Sequence, residues 1–374
     1  MKVSIFLTYG YSLKTWDETG TLERELKIFK NLENKDIEFT FYTWGDEYDY
    51  SLFSGFSNAI IIPIYSKLKF FNNKLLRIFQ SFIVPFKFRK TISQTDILYQ
   101  NQLMGSWVPI LVRTFFKKPL YIRTGYDMLD FAIKEEKSYL KIILLRLLTS
   151  LAINFSDYFT VTNTSDYKRY KNKFNLKSKN IEIIPNWVSS SYENSIPKYE
   201  NKVLTVGRLV EQKNYFKLLK DFKQEGQNLE LDIVGEGHLY KDLKNFSKKN
   251  NLNVSFIGKL EHEALNNLYK NYKYFVTTSM YEGNPKTLLE AMSAGCIVFA
   301  SNIENHTSII DNENNGFIYD HEKENVFKFI KNKINNKKIK DYISMNAVKT
   351  MQKNNSIKNV EEKTYTIFKF LESF

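Results

Sequence analysis

The chain has one cysteine, Cys296, in 374 residues. A lone thiol builds neither a disulfide framework nor a cysteine-rich zinc site, and Gly295-Cys296-Ile297-Val298 reads as a buried strand. Histidine is scarce too: the four residues stand at 238, 262, 306 and 321, with no pair at helical metal-ligand spacing. No metal site is expected. Long apolar runs are missing as well. The nearest, Ile142–Ile153, falls short of the roughly 18 uncharged residues needed to span a bilayer and carries Arg146. The N-terminal MKVSIFLTYGYS lacks a small-residue cleavage site and runs straight into Trp16-Asp17-Glu18, so it reads as a first strand rather than a signal peptide. These absences place the protein, as an expectation, in a reducing cytoplasm.

What is present is an ordinary globular composition, 43% apolar and 25% charged, with a net charge of +13. That apolar share excludes disorder as the main state, and the length suits two domains. Short apolar runs alternate with amphipathic stretches. The first series of strand candidates is Lys2–Tyr9, Glu38–Thr43, Ala59–Ile64, Ile97–Tyr99, Leu120–Arg123, Tyr158–Thr162 and Ile181–Ile184. The second is Val203–Val206, Glu230–Val234, Val254–Ile257, Tyr274–Thr277, Ile297–Ala300 and Gly316–Tyr319. Helical patterns between them include Thr21–Leu32, Lys137–Ile153, Tyr215–Phe222, Tyr240–Lys249 and Glu263–Asn271. Two doubly wound, Rossmann-like parallel α/β sheets follow. The polar stretch Ser189–Asn201 divides them, giving a first domain over 1–188, a second over 189–355 and a terminal helix over 356–374. In that tail Tyr365, Phe368 and Leu371 share a face. It packs either back across the cleft or on the second domain.

The most informative segment is YEGNPKTLLEAMSAG, Tyr281–Gly295, between two strands of the second series. Asn284 is a suitable N-cap, Pro285 suits the first helical position, and Gly295 stops the helix. A helix start after such a loop offers free N–H groups and a positive dipole end, suited to phosphate. Glu282 on the loop and Glu290 in the helix bracket it. Gly207-Arg208-Leu209-Val210-Glu211-Gln212-Lys213 follows another strand, so Arg208 and Lys213 fall on the same sheet edge, a fork and a point charge suited to linked phosphates. Gly235-Glu236-Gly237 forms a third loop on that rim and permits close backbone approach. His238 and His306 lie on rim loops, where each either touches ligand or is incidental. Trp16 and Trp187 either line the cleft or pack.

The E-x7-E spacing of Glu282 and Glu290 within EGNPKTLLEAMSAG resembles the signature of glycosyltransferase family 4, retaining nucleotide-sugar enzymes of GT-B fold. VGRLVEQKN resembles that family's donor-diphosphate loop, and LDIVGEGHLYKDL, VSFIGKL and NGFIYD resemble its later landmarks, in order. Ile184-Pro185-Asn186-Trp187-Val188 is similar to its entry to the interdomain linker, and Gly20-Thr21-Leu22-Glu23-Arg24 to the turn facing the donor. The resemblance implies two domains across a cleft and transfer of a sugar from a nucleotide-sugar donor to a saccharide or lipid-linked acceptor, as in cell-surface polysaccharide synthesis. Arg208 and Lys213 would hold the diphosphate, Glu282 would contact the donor sugar, and Glu290 the ribose hydroxyls. Gly20, Gly207, Gly235, Gly283, Asn284, Lys286 and Thr287 would lie along the donor, with Gly258 and Lys259 near the base. No metal or other cofactor is implied, because the cations and helix start would take the leaving group's charge. The chain departs from the family at Thr19-Gly20, where two glycines are usual, and at Arg123-Thr124-Gly125-Tyr126-Asp127, where a histidine is usual. That acceptor-side role is then either vacant or passes to Arg123 or Asp127, with Trp16 and Asp17 in the bulkier first loop.

Residues Ile64–Thr95 carry seven cations, no acidic residue and interleaved aromatics. They read either as a core helix with a basic outer face or as an element that meets an anionic membrane surface. The second reading fits a polyprenyl-linked acceptor and a peripheral position on the inner face of the plasma membrane. Two rival readings remain at this stage. A basic chain suits nucleic-acid binding, although no known module is visible, and a GT-B nucleotide-sugar epimerase would share the fold.

Overall fold

A computed structural model describes residues 1–174, 180–189, 192–193, 196–334 and 337–374. The linker expected at Ser189–Asn201 includes residues 190–191 and 194–195, which lie outside the described residues. The chain forms two compact units, Met1–Pro185 with Val360–Phe374, and Asn186–Asn359.

In the first unit the strands are β1 Lys2–Phe6, β2 Glu38–Thr43, β3 Ile60–Pro63, β4 Ile97–Asn101, β5 Leu120–Arg123, β6 Tyr158–Val161 and β7 Asn180–Ile183. They pair in the order β3-β2-β1-β4-β5-β6-β7, every neighbour parallel. A parallel strand covered by helices on both faces must be apolar on both faces. Hence Val3, Ile5 and Phe6 of β1 are all buried. Helix Leu22–Glu33 supplies one cover through Leu26, Phe29 and Leu32, with the Phe29 ring 5.5–5.8 Å from Phe41 and Tyr99. The terminal helix Ile357–Glu372 shares that face: its Phe368 ring lies 6.0 Å from Tyr99 and 6.1 Å from Tyr121. Ile367 is buried in this helix, where the sequence pattern pointed to Tyr365; Tyr365 instead lies half-buried under the Lys35 ammonium.

In the second unit β8 Tyr199–Val206, β9 Glu230–Val234, β10 Val254–Gly258, β11 Tyr272–Thr277, β12 Ile297–Ser301 and β13 Phe317–Tyr319 pair in the order β10-β9-β8-β11-β12-β13, again all parallel. Each sheet reverses its winding at one place, between β1 and β4 and between β8 and β11. The loops leaving the carboxyl ends of the two strands at such a point diverge and leave a crevice. In the second unit those loops are 207–214 and 278–285, the segments that carry Arg208, Lys213 and Glu282.

Candidate active site

Lys213 and Glu282 stand 69 positions apart, yet they form an ion pair, half-buried at Lys213 and buried at Glu282, across the switch point of the second sheet. Lys213 ends a short 3-10 turn, Glu211–Lys213, and Asn214 follows in the left-handed conformation that opens helix Tyr215–Glu225. Glu282 stands four residues before helix Lys286–Ser293. The two loops are stitched together by backbone groups. Met280 N–H donates to Gln212 O at 2.9 Å, the Gln212 side chain donates to Tyr281 O at 2.7 Å, and the Thr278 hydroxyl donates to Lys213 O at 2.7 Å. The Ser279 hydroxyl also donates to Glu282 Oε1 at 2.7 Å. Burial pushes the Glu282 carboxyl up, but the Lys213 ammonium, His306 and these hydrogen bonds together hold it below the usual carboxylate range. The carboxylate is therefore charged and aimed.

Arg208 is exposed, and among the described residues its guanidinium has no hydrogen-bond or ion-pair partner. The rim thus holds one cation locked to a carboxylate and one that reaches into solvent.

The glycines of the rim have a packing role. Gly207 N–H donates to Val234 O at 3.0 Å, Gly235 N–H to Gly258 O at 2.8 Å, and Leu209 N–H to Glu236 O at 2.8 Å. A Cβ on Gly235, whose φ is +138°, would overlap the carbonyl oxygen of Gly207, and one on Gly237 would overlap that of Leu209. The close approach expected at this loop is between neighbouring loops. Gly258, at φ +83°, faces open space instead. It borders a cavity of ≈ 380 Å³, also lined by Gly235, Gly237, Tyr240 and Phe256. Lys259 follows it directly.

The helix start differs from expectation. Its N-cap is Pro285, with Lys286 the first helical residue, so Asn284 sits one place too early and makes no cap hydrogen bond. Proline has no N–H, and with φ near −78° it caps a helix whose entry direction is set by the stitched loop. Gly295 does close the helix, at φ +71°. Thr287 is half-buried in the first turn, and Gly283 is buried at the loop's end. Glu290 lies buried in the helix interior, where Tyr269 donates to its Oε2 at 3.3 Å and His262 Nε2 stands 3.6 Å from its Oε1. A ligand hydroxyl at Glu290 would share it with these two groups.

Sequence reasoning passed over several residues here. Asn305, beside His306, donates its side-chain amide to Glu282 O and to Gly283 O, the latter at 2.6 Å. His306 is fully buried; its Nδ1 lies 3.0 Å from Ser301 O and 3.2 Å from Ser301 Oγ. Burial drives its pKa down to about 4, although Glu282 opposes the shift, so the ring is neutral at pH 7. Among the described residues, His306 Nε2, Asn305 Oδ1 and Asn284 Oδ1 are buried without a hydrogen-bond partner. His238, by contrast, is exposed and meets Glu211 at 2.9 Å. The polar Glu304-Asn305-His306 stretch, three residues past the end of β12, was the available signal for this support.

The first-unit candidates occupy separate settings. Trp16-Asp17-Glu18 belongs to a short helix, Leu13–Glu18, started by a Ser12–Thr15 capping box; Trp16 is buried and Asp17 exposed. Gly20 adopts φ +68° between this helix and the next. Arg123 ends β5, half-buried. Asp127 is buried, with both carboxylate oxygens engaged inside the unit. Oδ1 caps helix Met128–Lys134 through the N–H groups of Leu129 and Asp130 at 3.0 and 3.1 Å, and Oδ2 accepts from Arg169 Nε at 3.3 Å. Arg169 also pairs with Asp166 and approaches Asp130 at 3.9 Å. Burial raises the Asp166 pKa to about 6 against the pull of Arg169.

Residues 190–350 match the sequence model of the glycosyl transferases group 1. An uncharacterized glycosyltransferase of Methanocaldococcus jannaschii is 29% identical over 175 residues, 46% of this chain and 45% of the relative. Protein CapJ of Staphylococcus aureus is 24% identical over 323 residues, 82% of this chain and 77% of CapJ. A UDP-Gal:alpha-D-GlcNAc-diphosphoundecaprenol alpha-1,3-galactosyltransferase of Escherichia coli is 37% identical over 120 residues, 30% of this chain and 31% of that enzyme. The first of these matches therefore spans about half of its relative's length and the last about a third. Among solved structures, sucrose-phosphate synthase of Thermosynechococcus elongatus superposes with a TM-score of 0.80 at 16% identity, over 100% of this chain and 99% of that one. HepE of Anabaena, solved with UDP-glucose, gives 0.73 at 16% identity over the full length of both. Residues 190–350 are thus similar in sequence to the group 1 glycosyl transferases, within a chain whose fold is that of the GT-B glycosyltransferases.

Proposed function

We propose that the chain is a retaining, metal-independent glycosyltransferase that moves a sugar from a nucleoside-diphosphate sugar to a saccharide acceptor in cell-surface polysaccharide synthesis. One observation carries this reading: Lys213 pairs with the buried Glu282 carboxylate across the switch point of the second sheet, with exposed Arg208 on the same loop as Lys213. Cleavage of the sugar–phosphate bond leaves negative charge on the diphosphate. Arg208 and Lys213, aided by the N–H groups at the start of helix Lys286–Ser293, would hold that charge as it develops. A fixed ammonium does this without rearranging at the moment of reaction, because Glu282 and the stitched loops already set its position. Glu282 would meet the donor sugar, and Glu290 the ribose hydroxyls. The leaving diphosphate would accept the acceptor's proton, which keeps attack and departure on one face of the sugar and so retains configuration.

The relatives' names support the acceptor class. One takes a sugar carried on diphosphoundecaprenol, and a polyprenyl-linked saccharide at the inner face of an anionic membrane would suit the acid-free segment Ile64–Thr95 of this chain.

The test is a thermal-shift screen of UDP- and GDP-sugars in the presence of EDTA, followed by NMR of the product's anomeric centre. Arg208→Ala should cut turnover by about 10²–10³-fold while the unfolding temperature stays unchanged. Near-normal turnover in that variant, or an inverted product, would remove the mechanism.

A further inference from the structure

The first unit leaves a large apolar surface uncovered. Helix Tyr139–Phe155 buries Leu145, Thr149, Ala152 and Ile153 on one face. On the opposite face Tyr139, Leu140, Ile143, Leu144, Leu147 and Leu151 are exposed, Leu140 by 67%. At helical spacing these six form one stripe, with Lys141 on one margin and Arg146 on the other. Across helix Trp107–Phe116, which packs against this helix on one flank, stands the acid-free segment. There Leu75, Phe79, Ile83 and Phe86 are exposed, Phe79 by 70%. The Phe86 ring meets exposed Phe115 at 5.1 Å, and Lys117 and Lys118 follow it in sequence. Helices Tyr139–Phe155 and Trp107–Phe116 and the short helix Val84–Lys87 of the acid-free segment are rooted in one core through Ile153, Val108, Val112 and Val84. The preceding helix Lys74–Ser81, which carries Leu75 and Phe79, is tied to it by the Trp107 indole N–H, which donates to Ser81 Oγ at 2.8 Å.

Scattered apolar residues on a surface need no explanation, but contiguous rows on neighbouring helices mark a contact site. Charge selects the occupant. The helix Tyr139–Phe155 and the segment Ile64–Thr95 contain cations and no acidic residue. A second copy of this chain would set like charges against like in a twofold contact. An anionic lipid surface meets both features: long basic side chains at the margins reach phosphate while the apolar row enters the acyl boundary. Among the described residues no helix is long and apolar enough to cross a membrane, so contact lies in the interface plane.

We propose that the Tyr139–Phe155 stripe and the Leu75–Phe86 row together insert into the interface of an anionic bilayer, so that binding is held by buried apolar area as well as by charge. This rests on the membrane-surface part of the functional reading and gives it an insertion face. It is independent of the donor chemistry in the second unit.

Flotation with vesicles of mixed phosphatidylethanolamine and phosphatidylglycerol, set against pure phosphatidylcholine, is the experiment. Wild type should float with the anionic vesicles only. L140Q/L144Q/L147Q should lower the bound fraction by about tenfold, with the unfolding temperature and donor-induced shift unchanged. Should that variant fold poorly, Leu144→Cys carrying a polarity-sensitive dye gives a second readout. Cys296 is fully buried and its thiol is pushed up to about 11, so it stays silent. A blue shift on adding anionic vesicles supports insertion. If wild type floats and the triple variant floats equally, the apolar face is not used and only the electrostatic reading survives. No flotation by wild type overturns both. Lipid-free dimers that the triple variant dissolves, with flotation unaltered, assign the face to a second copy. Flotation that persists without any donor binding would sink the transferase reading and leave this one standing.

Discussion

The two sheets share one winding, yet their switch points are built from opposite materials. In the first unit, aromatic packing closes the place where the loops after β1 and β4 part. Tyr9 N–H donates to Met104 O at 2.9 Å, and its ring lies 4.7 Å from Trp44 and 5.2 Å from Trp107. In the second unit the equivalent place holds Lys213, Glu282 and the exposed Arg208. The first unit does have a buried ion cluster, but Arg169 gathers Asp127, Asp166 and Asp130 at helices after β5 and β6 rather than on the loops after β1 and β4. Topology offers a crevice in both units. Among the described residues, the second unit's switch point holds a carboxylate paired with a cation, whereas at the first the Arg77 guanidinium acts on the Tyr9 and Tyr65 hydroxyls; a buried charge is costly to assemble.

Removing one ion from each cluster tests this contrast most severely. Lys213→Ala would leave Glu282 charged and buried; we expect turnover to fall by about 10²–10³-fold and stability by about 3–5 kcal/mol, read by kinetics and denaturant unfolding. Glu282→Gln combined with Lys213→Met should recover much of the stability and none of the activity. Arg169→Ala should cost the first unit a comparable amount at neutral pH, less below the Asp166 pKa because a protonated carboxyl needs no partner, while donor binding stays intact. Donor binding lost in proportion to stability would erase the distinction between the clusters.

The pH dependences should differ in sign. His306 is held near 4, below its unfolded value of 6.5, so the unfolded state binds more protons in that window. The second unit should therefore lose about 3 kcal/mol as pH falls from 6.5 to 4. Glu282, also held low, adds a loss of the same sign below its unfolded pKa. Asp166 is raised from 3.8 to about 6, so the first unit should gain stability on acidification through that window and lose it as pH rises toward 6. Two resolved thermal transitions that approach or cross between pH 6.5 and 4 would show this, and His306→Gln should flatten the second. Parallel shifts of both transitions would break the comparison.

A smaller effect separates two rim glycines. Gly235→Ala meets the Gly207 carbonyl and should cost about 3 kcal/mol, combining left-handed strain with overpacking. Gly258→Ala faces open space and should cost about 1–2 kcal/mol through backbone strain alone. Urea midpoints of the two variants give the order.

The strands were legible because parallel strands covered on both faces read as short, mostly apolar stretches rich in aromatic and branched residues: Glu38–Thr43, Leu120–Arg123 and Glu230–Val234 stand where those stretches do. Helix ends were less so. Asn284 has the chemistry of a cap, but the stitched loop puts Pro285 in that position. The rim residues were legible as individuals, since each follows a strand end. Their relations were not. Nothing local to Lys213 says that its partner is Glu282, nothing near Glu290 names Tyr269 and His262, and Arg169 attracted no notice because three carboxylates from two helices meet it only in space.

Strand placement, sheet winding and the edge on which Arg208, Lys213 and Glu282 stand were determined by the sequence alone, because backbone periodicity and burial are set within a few residues. Tertiary structure decided which of these charges are paired, which glycines are compelled by a neighbouring loop, and which apolar rows stay exposed. Each of those depends on atoms brought together from distant parts of the chain, where a desolvated charge, a missing Cβ or an uncovered leucine takes its energetic meaning.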